Sequence, residues 1–399
     1  MILEPVAERS LLAWDFFRDS LERGASDLHM SVGAPPAARI NGSIEIFDAP
    51  PMSEEEVTLL LEFLVDRQMR AQFHGERPQD LDFTVEFPTG RQRFRVNVFR
   101  QYHGTSIVMR VLASRIQTFE ELGIPLHFQQ LAFERSGLLL VAGGTGSGKS
   151  TTLASMLEAV NQTRRKHIIT IEDPIEIVFQ HKKALIEQRQ IELQVADFHT
   201  ALRSALREAP DIMLVGEIRD ESTALMALRA AQVGVLVLAT LHTRSAAETI
   251  TRYLSMFQDN WRQSARQQLA DSLRGVMCQS LLLKKDGSGR VAACEVLVGT
   301  QAARHMIRAD RGHLLHSMME IASADGMITM EQSLFNLFEQ EQIDLQTAFE
   351  SCNDKRSFIT KLPPELQGQV TVPWETEIEI KNLEKMRELN ERKAASRGL

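Results

Sequence analysis

Eight residues, Gly143-Gly144-Thr145-Gly146-Ser147-Gly148-Lys149-Ser150, close the apolar run Leu138 to Ala142 and open a helix-like segment from Thr151 to Val160. Glycines let a chain turn so that successive N–H groups point inward at phosphate oxygens, and a following helix adds its positive N-terminal end. In this pattern a lysine such as Lys149 supplies a mobile charge for the β- and γ-phosphates, and Ser150 a hydroxyl for Mg²⁺. Gly144, Thr145, Gly146, Ser147, Gly148, Lys149, Ser150 and Thr151 are therefore the candidate nucleotide contacts, with Ser150 the candidate metal ligand. A glycine-rich turn alone would be a weak signal, but the full pattern between a strand and a helix is a strong one.

Hydrolysis at such a loop needs a positioned water, Mg²⁺ and added positive charge on the transferring phosphoryl group. Ile171-Glu172-Asp173-Pro174-Ile175-Glu176 crowds carboxylates into one loop, stiffened by Pro174, where one of them could orient or deprotonate water. Leu214-Val215-Gly216-Glu217-Ile218-Arg219-Asp220 offers another acid; Gly216 stands where a nucleotide-site strand usually carries its Mg²⁺-linked aspartate, which leaves Glu217 to serve alone. Ala239-Thr240-Leu241-His242-Thr243 adds a polar pair. Singly, an acidic loop reads as surface and a histidine as structural. These motifs all follow apolar runs, and that common position favours one site.

The runs Leu138 to Ala142, His167 to Ile171, Asp211 to Val215 and Val235 to Thr240 alternate with helix patterns. Buried runs of this kind predict an α/β fold with a parallel sheet covered on both faces, and ligands bind at the carboxyl edge of such sheets. Phe198, Ala201, Leu202, Ala205 and Leu206 mark one covering helix, capped by Asp197 and ended by Pro210. Residues 1 to about 110 read as a separate α+β unit, with a helix from Leu11 to Arg23 and strands over Ala38 to Ile46 and Leu81 to Phe87. Ser53 and Glu56 form a capping box that opens a helix from Glu54 to about Phe73. Arg91 to Phe99 alternates as a half-buried strand with Arg93 and Arg95 on its polar face, ordinarily a solvated one. A connection around Ala113 to Pro125 follows. Past Leu362, Pro363-Pro364 and Pro373 break the chain, and Glu375 to Arg397 is dense in charge. A solvated, partly ordered tail is expected there; Ile380, Leu383, Met386 and Leu389 also allow an amphipathic docking helix.

With 399 residues, 43% hydrophobic and 25% charged, the chain can bury the cores of about two domains. A net charge of −8 argues against nucleic acid or an anionic membrane as the main partner. Cys278, Cys294 and Cys352 have no metal-site or disulfide spacing and are expected to be reduced and packed. Met1-Ile2-Leu3-Glu4-Pro5 lacks a basic leader, and no apolar run approaches the roughly 18 residues of a membrane span. A cytoplasmic protein is the expectation.

These segments together resemble the hexameric secretion ATPases of type IV pili and type II secretion, most closely the pilus retraction ATPases of the PilT/PilU family. The resemblance covers residues 8 to about 362. It rests on Gly24-Ala25-Ser26-Asp27-Leu28-His29, Arg93-Phe94-Arg95-Val96-Asn97, the phosphate loop, Thr170 to Glu176, Glu217 with Arg219, and Thr240 to Thr243. It implies a PAS-like α+β domain over 1–112, a RecA-like P-loop ATPase domain over 113–362 and a charged tail over 363–399. It further implies a homo-hexamer that uses ATP and Mg²⁺ at the pilus base, on the cytoplasmic face of an inner-membrane platform protein. A paralogous retraction ATPase would be a further partner, and no nucleic acid or membrane insertion is implied. By position, Glu176 matches the family's water-activating glutamate, Glu217 its Walker B glutamate and His242 its His-box histidine. Arg93, Arg95 and Arg110 match arginines that the family directs from the N-terminal domain towards the nucleotide.

The chain departs from the family pattern in places. Gly234-Val235-Leu236 replaces a usual Gly-His-Leu, and Ala302 to Arg308 only partly matches the family's Ala-Ile-Arg-Asn-Leu-Ile-Arg. Cys352-Asn353-Asp354-Lys355-Arg356, with Ile359 and Leu362, looks like the end of PilU-type chains. The expected activity is ATP-driven pilus retraction. One alternative is an accessory ring subunit of little or no turnover, opposed by the intact Lys149, Glu176 and Glu217. Another is a pilus-assembly or type II secretion ATPase, a class that usually carries a four-cysteine zinc motif which three scattered cysteines cannot supply, and a third is the related motor of a type IV secretion system. A helicase is opposed by the acidic balance and the lack of interleaved aromatic and basic residues.

Overall fold

A computed structural model describes residues 11–40, 42–75, 79–87, 92–112 and 115–370. They fall into two compact units. The first runs to Ile116 and takes in Glu172–Gln180 and Gln188–Gln194; the second holds Gln117–Ile171, His181–Glu187 and the chain from Val195 onward.

In the first unit the strands are β1 (Asp27–Ser31), β2 (Ala37–Ile40), β3 (Ser43–Ile46), β4 (Leu81–Glu86), β5 (Arg93–Gln101) and β6 (Gly104–Val111). They form one sheet in the order β3-β2-β1-β6-β5-β4, antiparallel throughout. Period-2 alternation sends Leu28, Met30, Val96, Val98, Ile107 and Met109 to one face, where Val57, Leu61 and Phe73 pack on them. The opposite face carries the polar residues. Arg39, Asp27, Arg110, Arg95 and Thr84 stand directly across from one another along a single rung.

In the second unit the strands are β7 (Gly137–Ala142), β8 (His167–Glu172), β9 (Leu185–Gln190), β10 (Ile212–Val215), β11 (Leu236–Leu241), β12 (Leu273–Leu283) and β13 (Arg290–Val298). The last residue of β8 and the end of β9 are those grouped with the first unit. The sheet order is β13-β12-β7-β11-β10-β8-β9. Pairs from β12 through β7, β11 and β10 to β8 are parallel, and β13 is antiparallel. Every residue of β7 and β11 is buried, as a sheet covered on both faces requires. A smaller apolar cluster, including Leu334, Phe349, Phe358 and Val370, gathers the C-terminal helices against β12 and β13.

Several expectations need adjustment. The helix from Glu54 breaks after Leu64, because Val65 turns extended and Asp66 caps a second helix, Arg67–His74, by accepting from Met69 N–H. The strand expected over Ala38 to Ile46 is a β2–β3 hairpin, with Gly42 in the left-handed region at φ 87°. The helix capped by Asp197 stops at Ala205, ahead of Pro210. The three cysteines, as expected, are buried and not in disulfides. The amphipathic tail segment lies outside the described residues. No helix among the described residues is long and apolar enough to cross a membrane.

Candidate nucleotide site

The buried strand β7 delivers the chain at Ala142 into the glycine-rich loop, and helix Lys149–Thr163 leaves it. Gly148, the residue before the helix, has φ 89°, a conformation that L side chains rarely adopt. Gly148, at the N-cap, makes no side-chain cap to this helix, so no capping carboxylate or hydroxyl competes for the loop there. Lys149 is nearly buried, and its Nζ donates to the carbonyls of Gly143 at 3.0 Å and Gly144 at 2.9 Å, which holds the ammonium over the loop. Ser147 Oγ is buried without a hydrogen-bond partner. A Cβ at Gly144 or Gly146 would meet open space. An open rim, an ammonium, an unpaired hydroxyl and a helix N-terminus together fit a polyphosphate. The exposed Ser150 begins the same helix, and its hydroxyl suits a hard cation that accompanies phosphate.

Adjacent parallel strands bring two more motifs to this edge. Register places Leu241 of β11 beside Ala142, and Val215 of β10 beside Ala239. The loop, Glu217 and His242 therefore all leave the carboxyl ends of neighbouring strands. Glu217 is held between two cations or donors: Arg219 Nη2 lies 2.8 Å from Oε2, and His242 Nε2 lies 3.5 Å from Oε1. Thr240 ties the strands together, its hydroxyl donating to Gly216 O and its carbonyl accepting from Ile218 N at 3.0 Å. Val235 stands at the opposite, amino end of β11, separated from His242 by the strand's full length, about 20 Å. The Val235 departure thus lies away from the carboxyl edge of β11.

The remaining predicted residues gather in the first unit. Arg93 donates from Nη1 to Glu176 O at 3.0 Å and from Nη2 to Ile175 O at 3.1 Å, so its guanidinium grips the backbone of the acidic loop. Burial pulls the Arg93 pKa below its ordinary value, against the opposing charges of Glu86 and Glu172. Arg95 forks onto Asp82, Nε to Oδ1 at 3.0 Å and Nη2 to Oδ2 at 2.6 Å. That pairing, opposed by burial and aided by the charges of Glu176 and Asp173, raises its pKa. Arg110 Nε donates to Asp27 Oδ1 at 2.8 Å. Burial alone would raise the Asp27 carboxyl, but hydrogen bonds from Arg110 and Ser26 hold it below its usual value. Arg95 and Arg110 face each other directly across β5 and β6, an unfavourable like-charge pair that the two aspartates offset.

Three supporting residues were not read from the sequence. Asp27 and Asp82 were not seen as partners of the arginines, although their positions on the polar face of alternating strands were a signal. The third is Gln279, buried in β12, whose amide reaches both the loop and the helix after it. An amide side chain within the mostly apolar stretch Leu273–Leu283 was the clue.

Residues 7–360 match the family of type II/IV secretion system proteins. The chain is 43% identical to the type IV pilus retraction ATPase PilT of Pseudomonas aeruginosa, over 85% of its own length and 97% of that protein. It is 34% identical to the type IV pilus ATPase PilU of the same organism, over 85% of this chain and 89% of the relative. A crystal structure of the pilus retraction motor PilT with bound ADP superposes with a TM-score of 0.78 at 41% identity, covering 86% of this chain and 97% of that one. The fold is accordingly an N-terminal α+β domain followed by a RecA-like domain. A nucleotide loop, a glutamate–histidine edge and this breadth of similarity place the chain in the type II/IV secretion system protein family, among the type IV pilus retraction ATPases.

Proposed function

We propose that this chain is a Mg²⁺-dependent, ATP-hydrolysing motor that works as a ring of six and powers pilus retraction. The observation that carries this is the convergence of the Gly143–Ser150 loop, Glu217 and His242 on one carboxyl edge of a parallel sheet. Residues 1–112 are taken as the PAS-like domain and 113–362 as the motor domain. The ring would act on the cytoplasmic side of the inner membrane against the pilus platform protein, with a paralogous ATPase as a further partner.

At the site, backbone N–H groups of the loop would receive the phosphates, and Lys149 would move from the Gly143 and Gly144 carbonyls onto the β- and γ-oxygens. Mg²⁺, when bound, neutralises charge developing between those phosphates. Ser150 and Glu217 are the residues that would hold it. Glu176 orients and deprotonates the attacking water, while His242 and Arg219 fix the Glu217 carboxylate. Arg95 and Arg110 would supply added positive charge, exchanging aspartate for phosphate.

The test is genetic and biochemical together. In the host cell Lys149→Ala should leave pili on the surface but abolish twitching, and the purified variant should lose ATP binding. Normal twitching with normal binding would remove the proposal. Binding without turnover by the unaltered chain would instead favour an accessory subunit beside a primary motor.

A further inference from the structure

Gln279 lies in β12, where Cys278 pairs with Ala142 of β7, so it is level with Gly143 at the start of the phosphate loop. Its side chain faces two partners on opposite limbs of that loop. Nε2 donates to Ser147 O at 2.5 Å, and Oε1 accepts from Thr152 Oγ1 at 2.9 Å, in the first turn of the following helix. All three residues are buried: Gln279 is 5%, Ser147 6% and Thr152 2% exposed. Water therefore does not substitute for either bond.

The geometry has a consequence for the neighbouring peptide. In a planar trans peptide the C=O and the next N–H point in opposite directions. Fixing Ser147 O towards β12 turns the Gly148 N–H away from β12. Gly148 also packs tightly on the amide: a Cβ there would meet Gln279 Nε2 at 2.8 Å. Ser147 O can only accept, which sets Nε2 on the loop and leaves Oε1 to take the Thr152 hydroxyl's proton.

We propose that Gln279 is the positioning residue of the phosphate loop, its amide clamping the Ser147–Gly148 peptide so that the Gly148 N–H is set to receive a nucleoside triphosphate's phosphate. The proposal rests on the loop being the ATP site. Gln279 does not touch the phosphate itself; it acts by pre-organising a backbone donor, which lowers the ordering cost of binding. Glutamine supplies the donor that Ser147 O requires and an acceptor that the Thr152 hydroxyl can use. Glutamate has the shape but presents acceptors alone and would confront Ser147 O with a second oxygen.

The experiment measures ATP affinity of full-length Gln279→Glu and Gln279→Ala by titration with Mg²⁺ present, together with KM, kcat and nucleotide-free thermal stability. Leaving a buried carbonyl and hydroxyl without partners at a binding loop is expected to raise the ATP Kd and KM by about tenfold or more. The kcat at saturating ATP should fall by less. Thr152→Val, a change of similar shape that deletes only the hydroxyl anchoring Oε1, should weaken ATP binding in the same direction by about threefold. This variant keeps the test in force if the Gln279 replacements do not fold. Folded variants with unaltered ATP Kd would overturn the proposal, as would a loss of thermal stability with no change in affinity. Lys149→Ala separates the two levels: if it binds ATP normally the ATP-site assignment fails, whereas loss there with unchanged affinity in the Gln279 and Thr152 variants defeats only the clamp.

Discussion

An arginine reaches a phosphate only with N–H groups that can leave their present partners, and this separates the arginines of the first unit. Arg93 holds two neutral carbonyls of the segment that carries Glu176, a backbone that would be left with unmet acceptors if the side chain swung away. Arg95 is paired with Asp82, an exposed-side carboxylate whose place a phosphate could take. By its contacts Arg93 is thus a support for the glutamate, although the family resemblance groups it with nucleotide contacts. Arg93→Ala is expected to lower kcat roughly tenfold, the effect of losing about 1–3 kcal/mol of loop-fixing hydrogen bonds, while leaving ATP affinity unchanged. Single-turnover hydrolysis and an ATP titration on the same variant check this. A selective loss of affinity would return Arg93 to the phosphate.

At the level of elements, β13 and the helix Met330–Glu339 each bury a carboxylate, Glu295 and Glu331. Glu295 Oε1 accepts from Ala246 N at 2.6 Å, at the start of the helix that follows the His242 segment; Glu331 Oε1 accepts from Asn353 N at 3.2 Å and Asp354 N at 3.1 Å. Burial, opposed by the Ala246 N–H and reinforced by the Glu331 charge, raises the Glu295 carboxyl above its ordinary 4.5; His316 counters weakly. The folded chain therefore keeps this proton to higher pH than the unfolded chain does. Its stabilising contribution is full below 4.5 and is lost as pH rises through the raised value. Glu295→Gln, which cannot ionise, should flatten that decline and be the more stable form at the alkaline end. Urea midpoints measured across pH test it, and parallel pH profiles for the two proteins would contradict it.

Elements were legible where one local signal dominated. The capping box at Ser53 opened its helix as expected, and the apolar runs became β7, β8, β10 and β11. The break at Val65 was missed because the apolar pattern continues past it, while the new cap at Asp66 is a single residue. The β2–β3 hairpin was missed although Asn41-Gly42 is a turn dipeptide. The phosphate loop, Glu217 and His242 were legible because each ends its own strand. Gln279, Asp27 and Asp82 were not: Gln279 and Asp27 meet partners far away in sequence, and the Asp82–Arg95 pair depends on the register of β4 against β5.

Across the whole molecule, the candidate residues divide between two units, each with its own sheet. Lys149, Ser150, Glu217 and His242 belong to the second, and Arg93, Arg95, Arg110 and Glu176 to the first. Val235 and the segment Ala302 to Arg308 lie outside that set of residues. The most direct measurement is steady-state phosphate release by the purified full-length chain with ATP and Mg²⁺, beside its Glu217→Gln variant. The account predicts sustained turnover by the unaltered chain and a drop of roughly 10²-fold or more in the variant, with ATP binding retained. Equal turnover by the two proteins, or none by the unaltered chain although it binds ATP, would contradict it.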